Sequence, residues 1–474
     1  MRPSLDRPAL QVMVAIAAIT AAKVLVSAQV ELTSLEAYYW LYGKHPAAGY
    51  FDHPAMIGWM VWLSTSLFGD STLGVRLVPL LGGALGAWLT WLAGRRLYGE
   101  GTGRLAALLV LVVPMTFAYG AEATPDAPLL LFWSATLWAL AHALSGGPRA
   151  WWMAAGACLG GAMLSKYHGV FLAFGTLGFL LLSPEHRGWL RRKEPYLAAL
   201  VALAVFSPTL WWNAQNGWTS LRYQGVGRFE ESGGFKAKYL HQFPVSQLLY
   251  VTPVVCAWTW WAGVRALVKW RESSWQDRFV ASLAMPLLLF FTALIFMRSV
   301  RGHWTAPAYA AALILCAAAV ERGGAWGRRL HWGSVAVVGA GVLLIPVVLA
   351  FVPREQMGPW AQLAAEVRKR GPGFVVGRDY HDAAQMAYHL KPVEGVDFTA
   401  VGLGGKSFPA WWRAEDHAGQ RAVLVYSPGD WPKAMEQVRL RFERVGEPES
   451  IEVTRFGGRK ETFLLVTADG YRVR

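Results

Sequence analysis

Stretches of about twenty predominantly apolar residues, each long enough to cross a hydrocarbon core as a helix, recur from Pro8 to Val352. A bilayer interior offers no water to backbone N–H and C=O groups, so a chain patterned this way folds as a bundle of spanning helices. The strand alternation of a membrane barrel is absent. Composition agrees, since 54% of the 474 residues are hydrophobic and only 16% charged, outside the habit of a soluble domain. The first span, Ala9 to Val30, is too long for a signal-peptide core. It also lacks a convincing small-residue cleavage site before Glu31, so it is expected to be retained.

A net charge of +14 would suggest nucleic acid in a soluble protein, but here the basic residues fall between spans, so no nucleic-acid partner is expected. Arg2 with Arg7, Arg95-Arg96 with Arg104, Arg149, Arg187 to Lys193, Arg265 to Arg278 and Arg322 to Arg329 mark one face as cytoplasmic. With the N-terminus inside, spans fall near 9–30, 72–94, 105–120, 127–145, 150–165, 168–183, 196–212, 243–264, 279–297, 304–320 and 332–352. That is about eleven crossings, which leaves the C-terminal region outside. The expected division is a membrane domain over 1–352, with an external loop at 31–71, followed by a small α/β domain over 353–474. Helical patterns in that second domain lie at Met357 to Arg370, Asp382 to Leu390 and Trp431 to Glu443, and strand patterns at Phe374 to Gly377 and Ala422 to Tyr426. Cys158, Cys256 and Cys316 sit in apolar spans, without metal-ligand spacing or any sign of a disulfide framework.

This threading gathers the polar residues least expected beside lipid onto the external side. Glu36, Asp52, His53, Asp126, Lys166, Asn213, Arg298, Arg301 and His303 meet there, beside the aromatic cluster Tyr38, Tyr39, Trp40, Tyr50 and Phe51. An ionised side chain at mid-membrane costs about 2.5–3.5 kcal/mol on insertion scales, so charged residues at span ends are functional candidates. Plainer roles exist for each. The aromatics suit an interfacial belt, Lys166 and Arg298 can snorkel to headgroups, and Asp126, beside Pro125 and Pro128, can cap a helix. Asp52 with His53 or His303 makes an incomplete site for a divalent cation, and no cofactor is otherwise indicated.

Several ordered blocks resemble one family. They are Glu36-Ala-Tyr-Tyr-Trp40, Tyr50-Phe-Asp-His-Pro54, Phe68-Gly-Asp-Ser71 with Arg76, Thr124-Pro-Asp-Ala-Pro128, Ser165-Lys-Tyr167, Ser207-Pro-Thr-Leu-Trp-Trp-Asn213 running into Asn216-Gly-Trp218, and His303-Trp304 with Ala306-Pro307. Together they resemble the bacterial branch of the dolichyl-phosphate-mannose protein mannosyltransferase superfamily. That superfamily falls in the GT-C class of integral-membrane glycosyltransferases, which also holds the lipid A aminoarabinose transferases. The resemblance implies an all-α polytopic membrane domain of GT-C type with a small C-terminal α/β domain. It implies transfer of a sugar from a polyprenyl-phosphate donor, usually undecaprenyl phosphate, to lipid A, a core sugar or another glycoconjugate. The active site and C-terminal domain are then expected on the periplasmic face of the inner membrane, among membrane lipids. A protein O-mannosyltransferase-like enzyme and a non-catalytic lipid-linked sugar transporter or flippase are the alternatives.

In this chemistry a carboxylate deprotonates the acceptor hydroxyl while the carrier phosphate departs as a stable anion, and a general base of this kind contributes a factor of about 10²–10⁴. Lysine and arginine near the surface hold the phosphate, arginine as a fork and lysine as a point charge. Much of the family has an Asp immediately before the first-loop Glu, where this chain has Leu35. The base is therefore Asp52 or Glu36, with Asp126 a third candidate. Where the aminoarabinose transferases carry acid-Lys-Pro-Pro, this chain reads Asp52-His53-Pro54-Ala55, so His53 stands in a phosphate-contacting position. Lys166, Arg298 and Arg301 are the other phosphate candidates, and Tyr38, Tyr39, Asn213 and His303 are candidate substrate contacts.

Overall fold

The computed structural model describes residues 7–227, 235–352, 358–391, 397–400 and 406–473. Arg2 lies outside the described residues, as do the residues 353–357 that follow the expected domain boundary. Among the described residues seven helices are long and apolar enough to cross a membrane: Arg7–Gln29, Thr72–Tyr98, Asp126–Leu144, Glu194–Gln215, Trp275–Leu294, Gly302–Arg322 and Gly327–Ala350. An eighth crossing results if Tyr239–Val251 and Pro253–Val268, bent by 107° at their junction, count as one. The protein is a multi-pass membrane protein, but the expected count of eleven exceeds what helix length alone supports. The difference lies in broken and short elements. The stretch expected over 105–120 is interrupted at Val113 and Pro114, where Glu100–Val112 gives way to Pro114–Tyr119, because proline cannot continue the hydrogen-bond ladder. Ala150–Ser165 and Val170–Leu182 have 16 and 13 residues.

Packing follows side-chain size. The helices Thr72–Tyr98, Asp126–Leu144, Ala150–Ser165 and Glu194–Gln215 contact one another in succession. Glycine lets their backbones approach: a Cβ added at Gly86 would stand 3.5 Å from the Leu131 Cα, and one at Gly156 would strike the Ala198 backbone. Gly302–Arg322 is central, with 83% of its apolar stretch buried, whereas Gly327–Ala350 buries 17% and turns its leucines and valines outward to lipid. At one end of the bundle the arginines pair with acids, Arg322 with Asp277, Arg278 with Glu185 and Arg149 with Glu194. Asp126–Leu144 and Gly302–Arg322 run from that end to the other, where the polar cavity described below opens.

Among the described residues the C-terminal region holds a six-stranded sheet. Strands β1 (Phe374–Gly377), β2 (Asp397–Ala400) and β3 (Ala422–Tyr426) pair in parallel in the order β2-β1-β3. The long β6 (Arg459–Tyr471) adds antiparallel to β3 and takes β4 (Phe442–Val445) and β5 (Glu449–Arg455) on its other edge. The uninterrupted Ala-Val-Leu-Val-Tyr of β3 reflects burial of both faces. Val423 and Val425 pack with the helices Pro359–Lys369 and Tyr380–Leu390, while Ala422, Leu424 and Tyr426 pack with Trp431–Arg441.

This sheet domain is seated on the loop between the first two long spans by specific polar contacts. Glu31 accepts from the Trp360 and Ala361 backbone N–H groups at 3.3 and 3.1 Å, capping the first turn of Pro359–Lys369. Gln385 donates to the Leu32 carbonyl at 2.8 Å, and Tyr388 and Lys391 both donate to the Asp70 carbonyl. Burial pushes the Glu31 carboxyl up to about 7, although those N–H groups and Arg455 pull it back.

Candidate active site

The loop between the first two long spans builds a rigid aromatic platform. Thr33 caps the helix Ser34–Lys44 in a reciprocal box, accepting from the Glu36 N–H while Glu36 accepts from its own at 2.9 Å. That helix aligns Tyr38, Tyr39 and Tyr42 in mutual ring contact. The chain then turns back through a Gly49–Pro54 bridge, with the Tyr50 N–H bonded to the His53 carbonyl at 3.0 Å, and the turn presents Asp52 and His53. Tyr50 stacks on Tyr42 at 3.6 Å and donates to the Tyr42 carbonyl. A Cβ on Gly58 would collide with the Tyr50 ring, so the platform needs glycine there.

Asp52 faces inward from this turn. Its Oδ1 accepts from Tyr42 and, at 3.3 Å, from Tyr38, and its Oδ2 stands 3.5 Å from the Lys406 ammonium. Burial raises both phenols well above the ordinary tyrosine value, and the Asp52 charge adds to the effect, so both remain protonated donors. Asp126, the first residue of its helix, takes two hydrogen bonds from Lys166 at 2.8 and 2.9 Å. Pro125 occupies the cap position, so Asp126 serves the lysine rather than the helix end. Lys166 reaches it because its extended backbone ends Ala150–Ser165 and turns the chain into a short 3-10 turn.

These groups line one cavity of about 570 Å³, within the span of small-molecule sites. Asp52, Asp126, His53, Lys166, Arg298, Arg301, His303 and Tyr39 all contribute to its wall. His303 stacks on Tyr119 at 4.7 Å, and the Arg298 guanidinium lies 6.0 Å from the Trp304 ring. Gln247 fixes the loop that carries them, donating to the Gly302 carbonyl at 2.9 Å and accepting from Thr305 and Tyr309. Among the described residues no group of three or more His, Cys, Asp or Glu side chains is placed to hold a metal ion.

Three residues singled out from the sequence sit elsewhere. Glu36 accepts the Arg76 fork at 2.7 and 2.6 Å and the Ala123 N–H at 3.1 Å, besides the Thr33 N–H. Arg76 in turn donates to the carbonyls of Ser27, Val30 and Glu31. Burial alone would raise the Glu36 pKa, but Arg76 and the backbone donors hold it below the usual carboxylate range. Glu36 thus ties the first span, the loop and Thr72–Tyr98 together and does not line the cavity. Tyr38 stands behind the wall as a support for Asp52. Asn213 bonds Tyr167, the Thr209 carbonyl and the Leu221 N–H, fixing the end of Glu194–Gln215.

The cavity also has walls that the sequence did not mark. Tyr119, Tyr223 and Tyr250 line it, and the C-terminal domain contributes Tyr380, His381 and Lys406. Lys406 lies 354 positions from Asp52, and its only local cue is the preceding Gly404-Gly405 pair.

Residues 52–212 match the family model for dolichyl-phosphate-mannose-protein mannosyltransferase. The chain is 26% identical over 331 residues to the lipid A galacturonosyltransferase RgtD of Rhizobium johnstonii, a match covering 68% of this chain and 67% of that protein. It is 29% identical over 316 residues to the undecaprenyl phosphate-alpha-4-amino-4-deoxy-L-arabinose arabinosyl transferase of Pseudomonas aeruginosa. That match covers 63% of this chain but spans only about half, 54%, of that relative's length. The fold is similar to ArnT from Cupriavidus metallidurans in the apo state, with a TM-score of 0.69, 17% identity and coverage of 97% and 98% of the two chains. The same ArnT bound to undecaprenyl phosphate gives 0.68. The chain carries the GT-C fold seen in ArnT, its segment 52–212 matches the dolichyl-phosphate-mannose-protein mannosyltransferase family model, and lipid A sugar transferases are among the proteins it is similar to.

Proposed function

We propose that the protein is an integral-membrane glycosyltransferase that moves a sugar from undecaprenyl phosphate to lipid A, or a closely related envelope glycolipid, at the periplasmic face of the bacterial inner membrane. The observation that carries this is the single cavity joining Asp52 and Asp126 to Lys166, Arg298, Arg301, His53 and His303 at one end of the bundle. A transporter would instead distribute such charges through the membrane depth. In the transfer, the acceptor hydroxyl oxygen forms a bond to the anomeric carbon and gives its proton to Asp52. The bond from that carbon to the phosphate oxygen breaks, its electron pair leaves on the phosphate, and undecaprenyl phosphate is released. Tyr38 and Tyr42 hold the carboxylate in place, and Lys166, oriented by Asp126, meets the phosphate together with Arg298, Arg301 and His53. Such fixed donors stabilise charge that develops on the leaving phosphate.

Mass spectrometry of lipid A from a deletion strain tests this proposal. The expected result is loss of one sugar, restored by the wild-type gene but not by one encoding Lys166→Met. Transfer by the purified protein from a nucleotide sugar, without polyprenyl lipid, would overturn it.

A further inference from the structure

A second cavity, of about 400 Å³, opens beside the one that holds Asp52, and it too falls within the span of small-molecule sites. Leu35, Tyr119 and His381 stand in the walls of both. The junction abuts the carboxylate: His381 follows Tyr380, whose ring centroid lies 4.3 Å from the Lys406 ammonium that meets Asp52 at 3.5 Å. The membrane domain supplies one side of the second cavity through Ser34 and Glu122, and the sheet domain the other through Trp360, Asp382, Glu461 and Phe463. Neither domain forms it alone.

Its wall is polar, and its charges are answered within the protein. Arg378 stands 3.2 Å from Asp382 and 3.2 Å from Asp430, and Arg455 pairs with Glu461. Burial, with the Glu36 charge beside it, pushes the Glu122 carboxyl up to about 8. At neutral pH that group is mostly protonated, and it is hydrogen-bonded to Thr33. A protonated carboxyl both donates and accepts. A charged ligand would have to open the wall's own ion pairs, at the cost of stranding one partner, whereas hydroxyl groups can join them unchanged. The Trp360 and Phe463 rings, 5.4 Å apart and both buried, add an apolar face. Flat apolar surface with a few placed polar groups is what a small-molecule site offers, and a sugar ring presents its complement.

Transfer needs two substrates at once. The first cavity carries the cations that meet the carrier phosphate, so the acceptor has to bring its hydroxyl to Asp52 from another side, and the second cavity adjoins that carboxylate. We propose that the second cavity is the acceptor subsite and that it recognises an uncharged, polyhydroxyl sugar ring of the acceptor. The proposal rests on the glycosyltransferase function given above. Seating of the sheet domain then has a direct use, since that domain brings half of the subsite with it.

The test measures initial rates against each substrate in turn for wild type, Glu122→Leu, Glu122→Gln and Glu461→Ala, with phosphorylated or dephosphorylated lipid A as acceptor. Loss of hydrogen bonds to the acceptor predicts a rise of about 10-fold in its KM for Glu122→Leu and a smaller rise for Glu461→Ala, with the donor KM unchanged. Glu122→Gln should recover most of the loss, because an amide donates and accepts without a charge. The rise should be equal for both acceptors. Should Glu122→Leu fail to fold, Glu461→Ala, at the exposed rim, decides alone. An unchanged acceptor KM, or a donor KM that rises as much, overturns the subsite, and a rise confined to phosphorylated lipid A overturns recognition of an uncharged ring. These outcomes leave the transferase function standing. Failure of the wild type with every polyprenyl donor removes the function itself and this proposal with it.

Discussion

Two carboxylates sixteen positions apart in one loop, Glu36 and Asp52, are almost equally buried, at 0% and 2% exposure. Burial therefore does not tell them apart, and their partners do. Glu36 accepts four donors, two from Arg76 and two from the backbone, which fills the sites a carboxylate offers. Arg76 directs its remaining donors to the carbonyls of Ser27, Val30 and Glu31 at the end of the first span and just beyond it. Nothing in that arrangement can move a proton without breaking the loop's anchorage. Asp52 lines the cavity, with neutral phenols on one oxygen and a lysine from the sheet domain beside the other. A carboxylate saturated by a fixed cation is a structural joint, whereas one supported by weak acids and open to a cavity can exchange protons with a substrate.

Substitution should separate the two by the quantity each one moves. Asp52→Asn keeps the shape but removes the negative charge that accepts a proton, so kcat is expected to fall by about 10²-fold or more. Its melting temperature should stay near that of wild type. Glu36→Gln should do the reverse, because it strands Arg76 in a buried site, and breaking such a pair costs about 3–5 kcal/mol. The expectation is a clear drop in thermal stability in detergent, with turnover per folded molecule largely retained. Both variants measured by thermal shift and by single-turnover transfer decide it. A stable, inactive Glu36→Gln beside an active Asp52→Asn would reverse the assignment.

The same contrast shows what was legible in the sequence. Apolar spans announce themselves through length, and Asp52, His53, Asp126, Lys166, Arg298, Arg301 and His303 stood out as polar residues at span ends; all seven line the cavity. Crossing number was less legible, since a break such as Val113-Pro114 or the bend at Thr252 divides an apolar run without changing its hydropathy. Glu36 looked like Asp52 because its partner lies forty positions on, and nothing local shows which way the side chain turns. Asn213 looked like a substrate contact for a similar reason, although its hydrogen bonds close a helix end. Lys406 and Tyr380 were invisible, because domain seating is a tertiary event that no pattern within either domain encodes.

That seating contains a smaller test of the same principle, at a carboxylate with partners of a third kind. Glu31 has neither the saturating arginine of Glu36 nor the phenols of Asp52. Its chief donors are two backbone N–H groups at the start of Pro359–Lys369, with His389 at 3.7 Å. Burial pushes that histidine down to about 4, so it stays neutral over the range that matters. Burial also pushes Glu31 up to about 7, above the value an exposed glutamate takes in the unfolded chain. A carboxyl with a raised folded pKa contributes stability that is complete below the unfolded value and disappears as pH rises through the folded one. Seating of the sheet domain should therefore weaken between roughly pH 5 and 8 in wild type. Glu31→Gln, which cannot ionise, should flatten that part of the profile. Limited proteolysis between the two domains across this range, compared for the two proteins, measures the effect. Identical pH profiles would mean that the backbone donors at Trp360 and Ala361 satisfy the Glu31 carboxylate as completely as Arg76 satisfies Glu36, and partner type would then no longer distinguish the joints of this loop.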